Sequence, residues 1–182
     1  KKLADGPIYV MQMYWLPEDL LEERSEQDKI QYNLWVERGL MRVSAGNKIN
    51  YSDVTKWYVE LVNTYNMNML WCGYDSWSAK YWVDEMQGYF GKECMEPVIQ
   101  GKKTLSSPMH NMGADLKTKK IIYNNNPILK WCLSNTAVDR DINGNIQPMK
   151  ANQLRRIDGT ASLLNAYTTM ERHLADYNSF RL

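Results

Sequence analysis

The chain has 182 residues, 44% hydrophobic and 24% charged, enough for one folded domain with a real core and unlike a disordered tail. Its 22 basic and 21 acidic residues leave a formal charge of +1, so no bulk field draws it to a polyanion and any nucleic-acid contact has to be local. Cys72, Cys94 and Cys132 lack the spacing of a zinc site and the even count of a disulfide framework, and no apolar run is long enough for a membrane span or a signal peptide.

Asp5-Gly6 reads as a turn, and residues 8–15 as an aromatic, β-branched strand ended by Pro17. Pro17, Glu18 and Asp19 suit a helix start, and the charged segment to Arg38 reads as one broken helix closed by Gly39. Residues 40–43 form a short strand. Asp53 is placed to cap a helix in which Val54, Trp57, Tyr58, Leu61, Val62 and Tyr65 recur on one face. Residues 67–74 are apolar enough for an interior strand, and they run into Asp75, Ser76 and Trp77 before a helix carrying Tyr81, Trp82, Met86 and Tyr89.

Residues 93–99 form a further strand, Ser106, Ser107 and Pro108 open a helix to about Leu116, and residues 121–123 give a short strand. Asn126-Pro127 starts another helix. Residues 136–141 and 145–149 flank Asn143-Gly144, a strong hairpin signal because both residues tolerate positive φ. A helix over residues 157–177 ends the sequence. Alternating strands and helices with hairpins predict a single domain over 1–182 of the α/β class, built on a mixed sheet flanked by helices. Gly-rich phosphate loops are absent, which excludes nucleotide hydrolysis by a P-loop.

Asp75 falls at a strand end, where open α/β sheets present ligand-facing residues. The same position lets Asp75 or Ser76 cap the helix that follows. Asp158 stands at the start of the last helix, where the dipole favours an acid whatever its role. Hydrolysis of a phosphodiester with Mg²⁺ needs carboxylates gathered around two ions roughly 4 Å apart, and a strand end and a helix start can converge to supply them. His110 and His173 are far apart in sequence and read as surface residues, which argues against a histidine metal site or a hydrolytic triad. Lys102, Lys103, Lys117, Lys119 and Lys120 form either a phosphate grip or a solvated face. Lys150, Arg155 and Arg156, just before Asp158, are candidate DNA contacts or plain loop residues. Most of the tryptophans and tyrosines keep helical or strand spacing, which marks them as core before stacking platforms.

An ordered set of motifs then carries a resemblance. Tyr14-Trp15-Leu16-Pro17-Glu18, Gly46-Asn47 through Tyr51, Tyr74-Asp75-Ser76-Trp77-Ser78-Ala79 and Gln100-Gly101 are followed by Leu105-Ser106-Ser107-Pro108-Met109, Asn126-Pro127 through Trp131, Asn143-Gly144-Asn145-Ile146 and Arg156-Ile157-Asp158-Gly159. No single motif is specific, but their order across nearly the whole chain resembles the large terminase subunit of tailed phages.

The resemblance implies a ribonuclease H-like nuclease domain that cuts concatemeric DNA during packaging with two Mg²⁺ or Mn²⁺ ions, Asp75 and Asp158 being metal-binding and catalytic carboxylates. It further implies double-stranded DNA, a portal protein, a small terminase subunit and an ATPase domain of the same protein as partners, and the host cytoplasm as location. A first nuclease strand with another aspartate is expected upstream of Lys1, with residues 1–4 as the remnant of the second strand. Its absence predicts an open edge beside residues 67–74, self-association or local rearrangement, and weak or no nicking by the chain alone. Ser76 stands where the family commonly has proline and His110 where lysine is usual. A non-catalytic DNA-gripping or portal-docking module of the same fold is the alternative function. A junction resolvase or integrase would share the fold but not the ordered motifs.

Overall fold

The computed structural model describes residues 6–77 and 79–179; Asp5 and the expected strand remnant at 1–4 lie outside them. The first half contains β1 (Ile8–Tyr9), β2 (Trp15–Pro17), α1 (Leu21–Asp28), α2 (Tyr32–Glu37), β3 (Arg42–Ser44), α3 (Tyr51–Tyr65), β4 (Cys72–Asp75) and α4 (Lys80–Phe90). The second contains β5 (Met95–Val98), α5 (Lys102–Lys117), β6 (Ile121–Ile122), α6 (Pro127–Asn135), β7 (Thr136–Arg140), β8 (Ile146–Lys150), α7 (Asp158–Arg172) and α8 (Leu174–Ser179). Among the described residues the strands form four two-stranded ladders, three parallel and one antiparallel. The architecture is thus mixed α/β, as expected.

The strand expected over 8–15 is two strands, because the extended chain changes partner halfway. The Ile8 amide donates to the Lys120 carbonyl at 2.8 Å and the Val10 amide to the Ile122 carbonyl at 2.9 Å, whereas Tyr14 accepts from the Arg42 amide at 2.8 Å. The broken helix that follows is interrupted at Lys29, with φ 54°, and ends at Gly39, with φ 66°. There the left-handed backbone is easiest for glycine.

Asn50, not Asp53, caps α3: its side chain accepts from the Ser52 amide at 3.1 Å. Asp53, in the first turn, instead accepts from the Ser44 hydroxyl at 3.0 Å and from Lys56 at 3.2 Å. The helix after Gly101 begins at Lys102, before the expected Ser-Ser-Pro start, and holds Pro108 inside it. Leu105, Pro108 and Met112 are all buried on one face, so packing has carried the helix through a residue that removes one of its hydrogen bonds. Asn126 does cap α6, its side chain accepting from the Ile128 and Leu129 amides at 2.9 and 3.2 Å.

The hairpin forms with β7 and β8 antiparallel, but only one of the two turn residues uses the positive φ that both tolerate. Gly144 has φ 83° while Asn143 is not left-handed. The Asp141 carboxylate holds the loop, its Oδ1 accepting from the Asn143 and Asn145 amides at 2.9 Å each. Finally, the helix expected over 157–177 divides at His173 into α7 and α8.

The β4–β5 pair lies between two helical layers. Cys72 and Met95 join Val83, Met86 and Cys94 in a cluster backed by Tyr58 and Trp82 on the α3–α4 side. Gly73, pointing the other way as strand alternation requires, meets α7: a Cβ there would reach Thr169 Oγ1 and come within 2.9 Å of the Asn165 carbonyl. A second cluster joins Val98, Leu105, Met112, Leu164 and Tyr167 to β1 and β6 through Ile8 and Ile121. A third packs Tyr32, Met41, Ile128 and Cys132 beneath Trp35 and Trp131.

Candidate active site

Asp75 is the last residue of β4 and Asp158 the first of α7. Strand and helix run antiparallel where they touch. Trp71 stacks on His173 with ring centroids 3.5 Å apart and donates from Nε1 to Asp176 at 2.9 Å, while Gly73, further along the strand, faces Thr169 and Asn165 further back along the helix. Continuing both chains brings Asp75 and Asp158 to the same end. From Gly73 to Asp75 the strand advances about 7 Å, and from Asn165 back to Asp158 the helix recedes about 10 Å, so the two residues come level to within roughly one helical turn. Asp75 also shares with Gly73 the strand face turned toward α7.

Asp75 does not cap the following helix as its position allowed, whereas Asp158 keeps the first-turn place that the helix dipole favours for an acid. Asp75 Oδ1 accepts from the Trp77 amide at 3.0 Å and so closes a turn before α4, whose own N-cap is Ala79. Asp158 is already helical, exposed, and preceded by Ile157 as N-cap.

The start of α7 is tightly held. A Cβ at Gly159 would come within 2.9 Å of the Tyr14 hydroxyl and 3.1 Å of Cys132 Sγ, so α7 approaches the β2 and α6 layer as closely as a bare backbone permits. Thr136 Oγ1 donates to Thr160 Oγ1 at 2.9 Å. Burial is the main cause that raises the Tyr14 phenol and the Cys132 thiol above their ordinary ranges, which marks a dry wall directly behind Asp158.

The basic residues before Asp158 divide into two kinds. Lys150 and Arg155 are exposed, at the end of β8 and in the following loop. Arg156 is half-buried, and its Nε donates to Asp28 Oδ2 at 2.9 Å; that hydrogen bond is the main cause that raises the guanidinium pKa. Sequence reasoning missed Asp28, Tyr32 and Asn135, the groups around Arg156, because nothing local signals a pair separated by 128 positions.

Two lysines of the suspected phosphate grip are engaged elsewhere, Lys102 with Asp139 at 2.8 Å and Lys120 with Asp115 at 3.4 Å. His110 is exposed as expected. His173 is not a plain surface residue: half-buried, it stacks on Trp71 and bonds Glu96 at 2.9 Å.

As donors for a metal, Asp75 and Asp158 offer the hard oxygens that Mg²⁺ and Mn²⁺ take. Among the described residues no group of three or more His, Cys, Asp or Glu side chains comes together to hold an ion. Two carboxylates still fit such a cation, since Mg²⁺ is commonly held by one or two carboxylates with water and substrate phosphate completing its shell.

Parallel ladders between helical layers make this a ribonuclease H-like α/β domain. The large terminase of bacteriophage HK97 has this fold, its crystal structure matching at TM-score 0.81 and 23% identity over 91% of this chain and 34% of that one. Residues 3–173 match the family described as terminase large subunit, endonuclease domain, and the chain belongs to that family. It is 24% identical over 159 residues to the large terminase subunit of Enterobacteria phage HK97, and 26% identical over 164 residues to protein YmfN of Escherichia coli strain K12. These matches cover 87% and 84% of this chain but span only about a third of the relatives' lengths, 31% and 34%.

Proposed function

We propose that this chain is a metal-dependent DNA endonuclease domain that cuts concatemeric phage DNA during genome packaging. Family membership supplies the reaction class, and the reading is supported by the packing of β4 on α7, with Asp75 the last residue of the strand and Asp158 the first of the helix. Those two carboxylates would hold two Mg²⁺ or Mn²⁺ ions. Such ions, when bound, lower the pKa of an attacking water and stabilise the leaving oxygen of the phosphodiester.

In this reading the chain itself orients the acids, Asp75 through the packing of β4 on α7 at Gly73 and Asp158 through the close-packed start of α7 at Gly159. Lys150 and Arg155 are free of the core and suited to contact the DNA backbone, where such contacts position the duplex without reading its sequence. Arg156 can add to them only through the guanidinium nitrogens not spent on Asp28. The partners in this reading are double-stranded DNA, the portal protein, the small terminase subunit and an ATPase domain of the same protein, and the setting is the host cytoplasm. No helix among the described residues is long and apolar enough to cross a membrane.

The lack of a three-ligand cluster among the described residues favours one second reading, a non-catalytic DNA-gripping or portal-docking module. Nicking of supercoiled plasmid in Mg²⁺ or Mn²⁺ separates the two. Asp75→Ala and Asp158→Ala should each abolish nicking while leaving DNA binding in place. Cutting that survives both substitutions would sink the nuclease assignment, and crystals soaked in MnCl₂ should show density between the two carboxylates.

A further inference from the structure

One buried residue bolts the loop between β8 and α7 at both ends. Asn135, only 4% exposed, is the last residue of α6; its main-chain carbonyl accepts from the Ala151 amide at 2.9 Å, and its Nδ2 donates to the Arg156 carbonyl at 3.1 Å. Residues 152–155 are exposed between these two fixed points. The second point lies two residues before Asp158.

Arg156 is held again through its side chain. Its Nε and the Tyr32 hydroxyl both donate to Asp28 Oδ2, at 2.9 and 2.7 Å, and the Asp28 side chain is 2% exposed. This is an unfavourable place for a carboxylate. Asp28 closes α1, where the helix dipole opposes negative charge. Its partner Tyr32 packs edge-on against Trp35 and Trp131, with centroids 5.3 and 6.2 Å away, so water is largely excluded. Buried ion pairs return little net stability against an apolar replacement, although removing one partner is costly. A buried pair that adds little net stability leaves room for a role in fixing geometry.

We infer that Asp28 and Asn135 are positioning residues for Asp158, gripping the side chain and the carbonyl of Arg156 so that the first turn of α7 presents its carboxylate at a fixed place beside Asp75. The inference rests on the nuclease reading above and adds to it the device that aims one ligand. Outer groups that orient ligands commonly change metal affinity by about tenfold or more when removed. A merely structural role would lower the melting temperature without changing the affinity of the folded protein.

Mn²⁺ titration by calorimetry, with thermal melts of every variant and nicking rates against Mn²⁺ concentration, tests this. Asp28→Asn and Asn135→Ala should each weaken Mn²⁺ binding by about tenfold and shift the nicking curve to higher Mn²⁺, with the rate largely recovered at saturation. Arg156→Lys, which keeps a cation for Asp28, should bind more tightly than Arg156→Ala. If Asp28→Asn does not fold, Tyr32→Phe, which removes one of the two donors to Asp28, should still weaken binding measurably. Unchanged affinity in the folded variants while Asp158→Ala loses binding would overturn the positioning role alone. A parent protein that binds no Mn²⁺, or an Asp158→Ala variant that binds like the parent, would overturn both.

Discussion

Gly73 decides how closely β4 can lie on α7, and through that spacing it bears on both candidate ligands. Any side chain there would collide with Thr169 Oγ1 and with the Asn165 carbonyl, 2.9 Å from the position of a Cβ. The carbonyl belongs to the helix backbone and cannot swing away. Gly73→Ala should therefore destabilise the fold by about 2 kcal/mol, read from urea denaturation, and should reduce nicking in the fraction that remains folded. A variant as stable as the parent would mean that strand and helix are further apart than described. Sequence reasoning singles out Asp75 and Asp158 as candidates but not Gly73, because a glycine required by a neighbour distant in sequence looks locally like any other.

Elements were legible where their start signals are local. The Asn126-Pro127 pair caps α6 through hydrogen bonds two and three residues away, so the sequence alone places that helix. The start of α5 was misplaced because burial of Leu105, Pro108 and Met112 overrides the local signal at Ser106 to Pro108. The β7–β8 hairpin is legible from Asn143-Gly144, but the part of the Asp141 carboxylate in holding its turn is not.

That hairpin should also respond to acid. Asp139 is held below the usual carboxylate range chiefly by its hydrogen bond with Lys102, and Asp141 chiefly by that from the Asn145 side chain. A carboxylate with a depressed folded-state pKa contributes stability that is present above its unfolded value and lost as pH falls through the folded one. The turn should thus hold at neutral pH and loosen only from about pH 4 downward, seen as faster amide exchange at Asn143 and Asn145 than the pH dependence of intrinsic exchange predicts. Loosening between pH 5 and 7 would contradict these pairings.

At the scale of the whole molecule, the order of motifs was enough to anticipate the fold and the family, while the burial of Asp28 against Arg156 was beyond sequence because it joins α1 to the segment before α7 across most of the chain. The near-neutral balance of 22 basic and 21 acidic residues has a further consequence for DNA binding. Lys102 and Lys120 are paired with acids, and the exposed cations that shortly precede Asp158 in sequence are Lys150 and Arg155, with Arg156 partly committed to Asp28. Each phosphate contact releases counterions and contributes about −0.9 to the slope of log affinity against log salt. Two or three local contacts predict a slope of about −2 to −3, measurable by fluorescence anisotropy of a labelled duplex across a KCl series. Lys150→Ala and Arg155→Ala should each flatten the slope by about 1 and weaken binding alike for unrelated sequences. A much steeper slope, unchanged by either substitution, would place the duplex on a different face from the acids and separate DNA gripping from cutting.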